Sequence, residues 1–322
     1  HQDPDFLMGK NYYYRILFGV EEFLLQREFA TEAFIWLLKL DDKNYDYTSN
    51  SPEDEFKKVL CTWRNYSVFC TSAEKIRLAK MSFEYSKNAW EIIYKNLPDS
   101  HESIAGTLCA PKYRKCVEES DTTYDELNQS VAGYIDILIK HAEFIPERWI
   151  KLIRYSDGVN QETRTKIIDS FLVASNQMSD FEKIAVKDSI RRLIYRHRFF
   201  ASASWAMSEE EVLVYEQLLD KIQVSKPEYD YLYLFKPENE SPLLHPVPYK
   251  VEDRRDLNKE AEEKLLEAEV AEFKEKNYDL LLLAELCASF ENSSLGRVLS
   301  KHWDGEKFDS QVFITLVEAQ KS

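Results

Sequence analysis

Arg191–Met207 reads RRLIYRHRFFASASWAM: four arginines (Arg191, Arg192, Arg196, Arg198) gathered around His197, then the pair Phe199-Phe200, then Trp205. Against a net charge of −15 this cationic, aromatic block stands apart from its chain. Just upstream, Ile184, Ile190, Leu193 and Ile194 recur at helical spacing, which predicts a helix over 179–199. Just downstream, Ser208 with Glu211 forms a capping box, which predicts a second helix over 208–223 with Val212, Tyr215, Leu219 and Ile222 on one side. The block therefore ends one helix and leads into another, and the rest of the chain extends the same pattern.

Outward from it, apolar residues recur helically at Leu17, Val20 and Leu24, then at Ala30, Ala33 and Leu37, predicting two helices that meet near Gln26–Glu28. Ser51-Pro52-Glu53-Asp54 is a helix start, with Ser51 as cap, Pro52 in the first turn and acids at the positive end of the dipole. That helix is expected to run to about Trp63. Thr71 or Ser72 opens another, carried through Tyr85, Ala89, Trp90 and Ile93 to Leu97-Pro98. Residues 98–122 read as a long loop. Further helices follow at Val131–Ala142, from Pro146, over 160–176, 252–277, 280–290, 295–303 and 308–319, with a turn at Asp157-Gly158. Two stretches break the texture. Tyr229–Phe235 (YDYLYLF) alternates like a short strand. Pro237, Pro242, Pro246 and Pro248 make the following residues extended, an ordered excursion given Leu243, Leu244 and Val247.

Composition agrees. The 322 residues are 44% hydrophobic and 31% charged, normal for a folded chain. Gly numbers only 7, where Rossmann and all-β folds need it at turns and phosphate loops. The fold class is read as all-α: an irregular α-solenoid of stacked helical pairs with one proline-rich extended excursion near 229–250. A tetratricopeptide array is not supported, since no clean repeat of about 34 residues is found. The expected parts are an N-terminal helical array over 1–228, a proline-rich connection over 229–250, and C-terminal helices over 251–322 that pack on the array as one continuous unit.

The acidic balance argues against a general nucleic-acid binder, which needs clustered Lys and Arg. No apolar run approaches the roughly 20 residues of a membrane span, and no signal peptide is seen. The chain opens HQDPDFLMGK without an initiator Met, which reads as an introduced boundary rather than a processed end. Cys61, Cys70, Cys109, Cys116 and Cys287 form no C-x-x-C pair, and their odd number suits reduced thiols in the cytoplasm better than a Cys109–Cys116 disulfide. The scattered His give no metal-ligand spacing, and phosphate-loop, dinucleotide and nucleophile-elbow motifs are absent. We therefore expect no catalytic residue, metal or cofactor. Glu252, Asp253 and Asp256 sit at a charged helix start and read as solvated.

The candidate binding or structural block is Arg192, Arg196, His197, Arg198, Phe200 and Trp205. Arg192 and Arg196 are four apart on one helix face, with Leu193 and His197 on the neighbouring stripe. One reading makes this a docking spot for an anionic group, with Trp205, Phe199 or Phe200 as a stacking wall. The plainer and preferred reading pairs the arginines with carboxylates of adjacent helices and makes His197 a buried, hydrogen-bonded orienter. Trp63, Trp90, Trp149 and Trp205 read as packing anchors.

Asn50-Ser51-Pro52 and Trp63, Ala89-Trp90 with Leu97-Pro98, Pro111-Lys112-Tyr113-Arg114, then His197, Arg198, Phe200, Ala203, Trp205 and Ala206, then Tyr233-Leu234-Phe235 and Pro237 follow one another in order. This succession resembles a helical region of large multidomain bacterial proteins, including signal-transduction (STAND-type) ATPases of anti-phage defence. It spans most of residues 50–300. Arg64 and Ser208 depart from it, each standing where the family pattern has Pro, and both are placed at helix starts. The resemblance implies a non-enzymatic sensor or scaffold region. It would bind a protein ligand, such as a phage protein, the other domains of its parent protein, or further copies of itself. Two alternatives remain open: a nucleic-acid-binding helical protein using the Arg191–Arg198 block, and an enzyme with an unrecognised site in the 98–122 loop or beside His197.

Overall fold

The computed structural model describes residues 13–42, 51–98, 120–235, 241–287, 295–302 and 314. These residues are helical almost throughout, so the all-α class holds. They fall into two units, His1–Glu143 and Phe144–Ser322, and the second contains all of the 229–250 segment.

In the first unit, α1 (Tyr13–Leu24) buries Leu17, Val20 and Leu24, and α2 (Ala30–Asp41) buries Ala30, Ala33, Phe34, Leu37 and Leu38. The spacing that predicts each helix is thus the spacing that packs them together. Helix α3 (Pro52–Val59) starts in a capping box between Ser51 and Asp54. It stops at Val59, short of Trp63, and Arg64–Asn65 becomes strand β1, paired antiparallel with β2 (Ser120–Asp121). Arg64 therefore lies in a strand and not at a helix start. Lys75, 1% exposed, donates to Asn65 Oδ1 at 2.8 Å, so the helix α4 (Ser72–Tyr85) holds β1 from behind.

The single helix expected from 72 to 97 is two. Ser86 Oγ donates to Asp42 Oδ1 at 2.8 Å and accepts from the Asn88 N–H at 3.0 Å, while Asn88 Nδ2 donates to Asp41 Oδ2 at 3.1 Å. These bonds tie the 86–88 break to the end of α2 and start α5 (Ala89–Lys95) in a new direction. Helix α6 (Tyr124–Lys140) crosses α4 at Gly133, where a Cβ would lie 2.3 Å from Ile76 Cδ1. Trp90 and Tyr134 fill the interior, donating to the Leu138 carbonyl at 3.0 Å and the Leu60 carbonyl at 2.9 Å. The Pro111–Arg114 phrase, Cys109, Cys116 and most of the expected 98–122 loop lie outside the described residues.

In the second unit, α7 (Pro146–Tyr155), with Pro146 in its first turn, leads through a 3₁₀ turn (Ser156–Gly158) to α8 (Gln161–Ser175). Helix α9 (Asp180–Phe199) is central and packs on α7, on α10 (Glu209–Lys221) and on residues 227–235. Pro227–Phe235 is a 3₁₀ helix, not the expected strand. Its three-residue period puts Tyr231 with Leu234, and Leu232 with Phe235, into the core beside Phe273 and Leu283. Alternation would have buried one face only. Glu228 then accepts from the Asp279 N–H at 2.9 Å, ahead of α12 (Leu280–Cys287). Residues 241–250 form neither helix nor strand. Helix α11 (Arg254–Glu275) buries only Val270 and Phe273, as its charge density predicts, and α13 (Leu295–His302) packs on it. The helix expected over 308–319 lies outside the described residues apart from Ile314.

Candidate functional site

The Arg191–Met207 block is the last turns of α9 plus the connection into α10, and it has an inner and an outer side. On the inner side His197 is 1% exposed. Its Nδ1 accepts the Met207 backbone N–H at 3.0 Å, so the ring proton sits on Nε2, which donates to Asp157 Oδ2 at 3.2 Å. The contact with Asp157 is thus a hydrogen bond of a neutral ring rather than an ion pair. Asp157 is fixed by its turn, where Arg164 Nε donates to the Ser156 carbonyl at 3.1 Å and Ser156 Oγ meets Tyr215 Oη at 2.6 Å. Burial pushes the Tyr215 phenol up to about 12. With both ring nitrogens occupied, His197 orients the connection and has no lone pair for proton abstraction.

Arg198 is equally committed. Its Nη1 donates to Glu216 Oε1 at 2.7 Å and to the Leu244 carbonyl at 3.0 Å; Nη2 donates to Glu216 Oε2 at 2.9 Å and to Glu209, and Nε donates to Glu209. These bonds, the one from Glu216 first, hold the guanidinium above its already high range, and the same bond lowers the Glu216 carboxyl. One buried arginine thereby joins α9, α10 and the 241–250 segment. The Tyr249 N–H donating to the Phe199 carbonyl at 2.7 Å adds a second tie. Replacing His197 with Phe keeps a ring in place but strands Met207 N–H and Asp157. We expect a loss of about 2–3 kcal/mol in the second unit, read by urea denaturation.

The outer side is built from exposed and half-buried groups. Arg196 lies over the Trp205 ring at 4.6 Å, and Phe200 touches both Trp205 (5.8 Å) and Tyr249 (5.6 Å). Arg254 lies over Tyr249 at 4.4 Å. Trp205 is 48% exposed and so is a surface group, unlike the packing anchors Trp90 and Trp149. Arg192, one turn before Arg196, is exposed and engaged in contacts of its own. Arg191 stacks on Tyr233 at 3.6 Å.

No family model, curated protein or solved structure matches the chain.

The structure thus brings Arg196, His197, Arg198, Phe200 and Trp205 together but sorts them by depth. Sequence reasoning missed Tyr249 and Arg254, which arrive from the far side of the proline-rich stretch. It also did not single out the acceptors Glu209 and Glu216 on α10. Among the described residues no group of three or more His, Cys, Asp and Glu could hold a metal, and no helix is long and apolar enough to cross a membrane. Cys61, Cys70 and Cys287 are free thiols.

A second cluster of titratable groups lies in the first unit. Glu55 is 3% exposed, with Oε1 2.5 Å from Lys58 Nζ and Oε2 without a hydrogen-bond partner; Glu21 Oε1 is buried in the same condition. Burial, then the nearby Glu55, raises the Glu21 carboxyl from 4.5 to about 7. An acid raised in the fold binds more protons folded than unfolded between those values, so the stability of this unit falls as pH rises through them. Glu21→Gln should flatten that slope, leaving the smaller contributions of Glu55 and Asp41, whose carboxyls burial also raises. It should stabilise the unit by about 1–2 kcal/mol near pH 8, allowing for partial exposure, and change little near pH 5. Urea denaturation at both pH values checks this.

Proposed function

We propose that the chain is a non-enzymatic helical recognition or scaffold module that binds a protein ligand and assembles with other domains or copies. The observation that carries this reading is the division of the Arg191–Met207 block. The groups able to do chemistry, His197 and Arg198, are consumed in internal hydrogen bonds, while Phe200, Trp205 and Tyr249 are left on the surface. Aromatic and arginine side chains presented by a rigid scaffold suit protein recognition.

The architecture we infer is an irregular solenoid of stacked helical pairs, crossed by a proline-rich excursion near 229–250. Supporting it are the packing of consecutive helices, α1 with α2 and α9 with α10, and the anchoring of Leu244 and Tyr249 to Arg198 and Phe199. The biological setting, a cytoplasmic bacterial defence protein responding to phage, rests on the ordered phrases from Asn50 to Pro237.

The test is affinity capture with the full chain as bait, comparing lysates of phage-infected and uninfected bacteria. A single protein recovered only after infection, and binding saturably when purified, fits a sensor. Recovery of the parent protein's other domains fits a scaffold. Turnover of a substrate by the purified chain would overturn the reading.

A further inference from the structure

Arg196, Trp205, Phe200, Tyr249 and Arg254 form one continuous stack, with a guanidinium at each end and three exposed rings between. The rings are 48%, 37% and 51% exposed in that order. Each of the two arginines rests on a ring rather than on an acid. The chain carries 57 acidic residues against 42 basic, and Arg164 and Arg198 are ion-paired. Arg196 and Arg254 have no carboxylate partner among the described residues. A guanidinium resting on a ring spends none of its N–H donors there, so both keep a fork of donors for an incoming acceptor.

We propose that this stack is the docking site for an acidic segment of a protein partner, with carboxylates held by Arg196 and Arg254 and an apolar side chain laid on Trp205, Phe200 and Tyr249. The proposal rests on the recognition reading above and gives it a location and a ligand chemistry. Charge complementarity selects the carboxylate, since planar bidentate pairing is what an arginine fork favours. The overall charge selects a short segment over a polyanion. A nucleic acid would bring a phosphate at every nucleotide against a chain of net charge −15, and two arginines neutralise too few of them. Tryptophan, tyrosine and arginine are also the residues that dominate protein–protein binding energy when clustered.

The test pans a displayed library of random peptides on the full chain, with a labelled oligothymidylate titrated in parallel. Wild type is compared with the double variants Arg196→Gln/Arg254→Gln and Arg196→Lys/Arg254→Lys. The expected peptides carry Asp or Glu beside a large apolar residue and lose affinity roughly tenfold for each arginine replaced by Gln. The Lys pair, which keeps charge but not the fork, should lie between. Neutralising the peptide's own acids should cost wild type the same factor and cost the Gln pair nothing further, a coupling that a merely structural role would not produce. Peptides that bind the Gln pair undiminished, or that show no acidic bias, overturn the proposal and leave the recognition reading standing. Oligothymidylate binding that the Gln pair abolishes, with no peptide recovered, overturns both. Recovery of neither kind of ligand overturns the proposal.

Discussion

Replacing Trp90 with Ala is expected to lower the unfolding free energy of the first unit by about 4 kcal/mol. The indole is 1% exposed, stacks on Tyr94 with ring centroids 5.3 Å apart and donates to the Leu138 carbonyl at 3.0 Å. It links α5 to α6, so its removal leaves a cavity at a helix junction that also contains the 86–88 break. Ser86 and Asn88 hold that break by polar bonds to Asp42 and Asp41, which resist the shift that would fill the space. Trp90→Phe separates the two contributions: it keeps most of the volume and loses the hydrogen bond, and should cost about 1–2 kcal/mol. Urea denaturation at fixed pH measures both. A loss under about 1 kcal/mol for Trp90→Ala would contradict the burial described.

Arg198→Met is expected to cost the second unit about 3 kcal/mol. Methionine fills much of the space, so the loss is mainly polar. Glu216, on the inner side of α10, loses two charged bonds, and the Leu244 carbonyl loses its donor. Breaking a buried ion pair from one side leaves the other charge uncompensated, which is the costly case. Glu209 is largely solvated and contributes less. The 241–250 segment should loosen first, because its anchors at Leu244 and His245 converge on Arg198 and Glu216. Amide exchange at 243–251 should therefore rise more than exchange in α7 or α8.

What the sequence makes legible here is what is local. Ser51, Ser208 and the start near Thr71 can be read directly, because a capping box is closed by residues three apart. The helical faces of α1, α2 and α10 are likewise written in their own spacing. The misreadings occur where a distant partner decides. The break after Tyr85 depends on Asp42, 44 residues upstream. YDYLYLF alternates like a strand, yet α9 and α12 offer it a surface that a 3₁₀ helix covers better. His197 and Arg198 can be suspected of burial from the chain's many acids, but their actual partners Asp157, Glu216 and Leu244 lie 40, 18 and 46 residues away. Tyr249 and Arg254 carry no local sign that they join Trp205. The Glu21–Glu55 cluster is hidden for the same reason: each glutamate reads as the polar side of an amphipathic helix until α1 and α3 are brought together.

If the Arg191–Met207 block is a buried latch with an open arginine–aromatic rim, thermal unfolding of Arg198→Met beside Arg196→Gln separates the two sides. The latch variant should melt roughly 6–12 °C below wild type, from about 3 kcal/mol lost in a unit of this size, and the rim variant within about 1 °C of it. Equal losses in the two variants, or a silent Arg198→Met, would contradict the division.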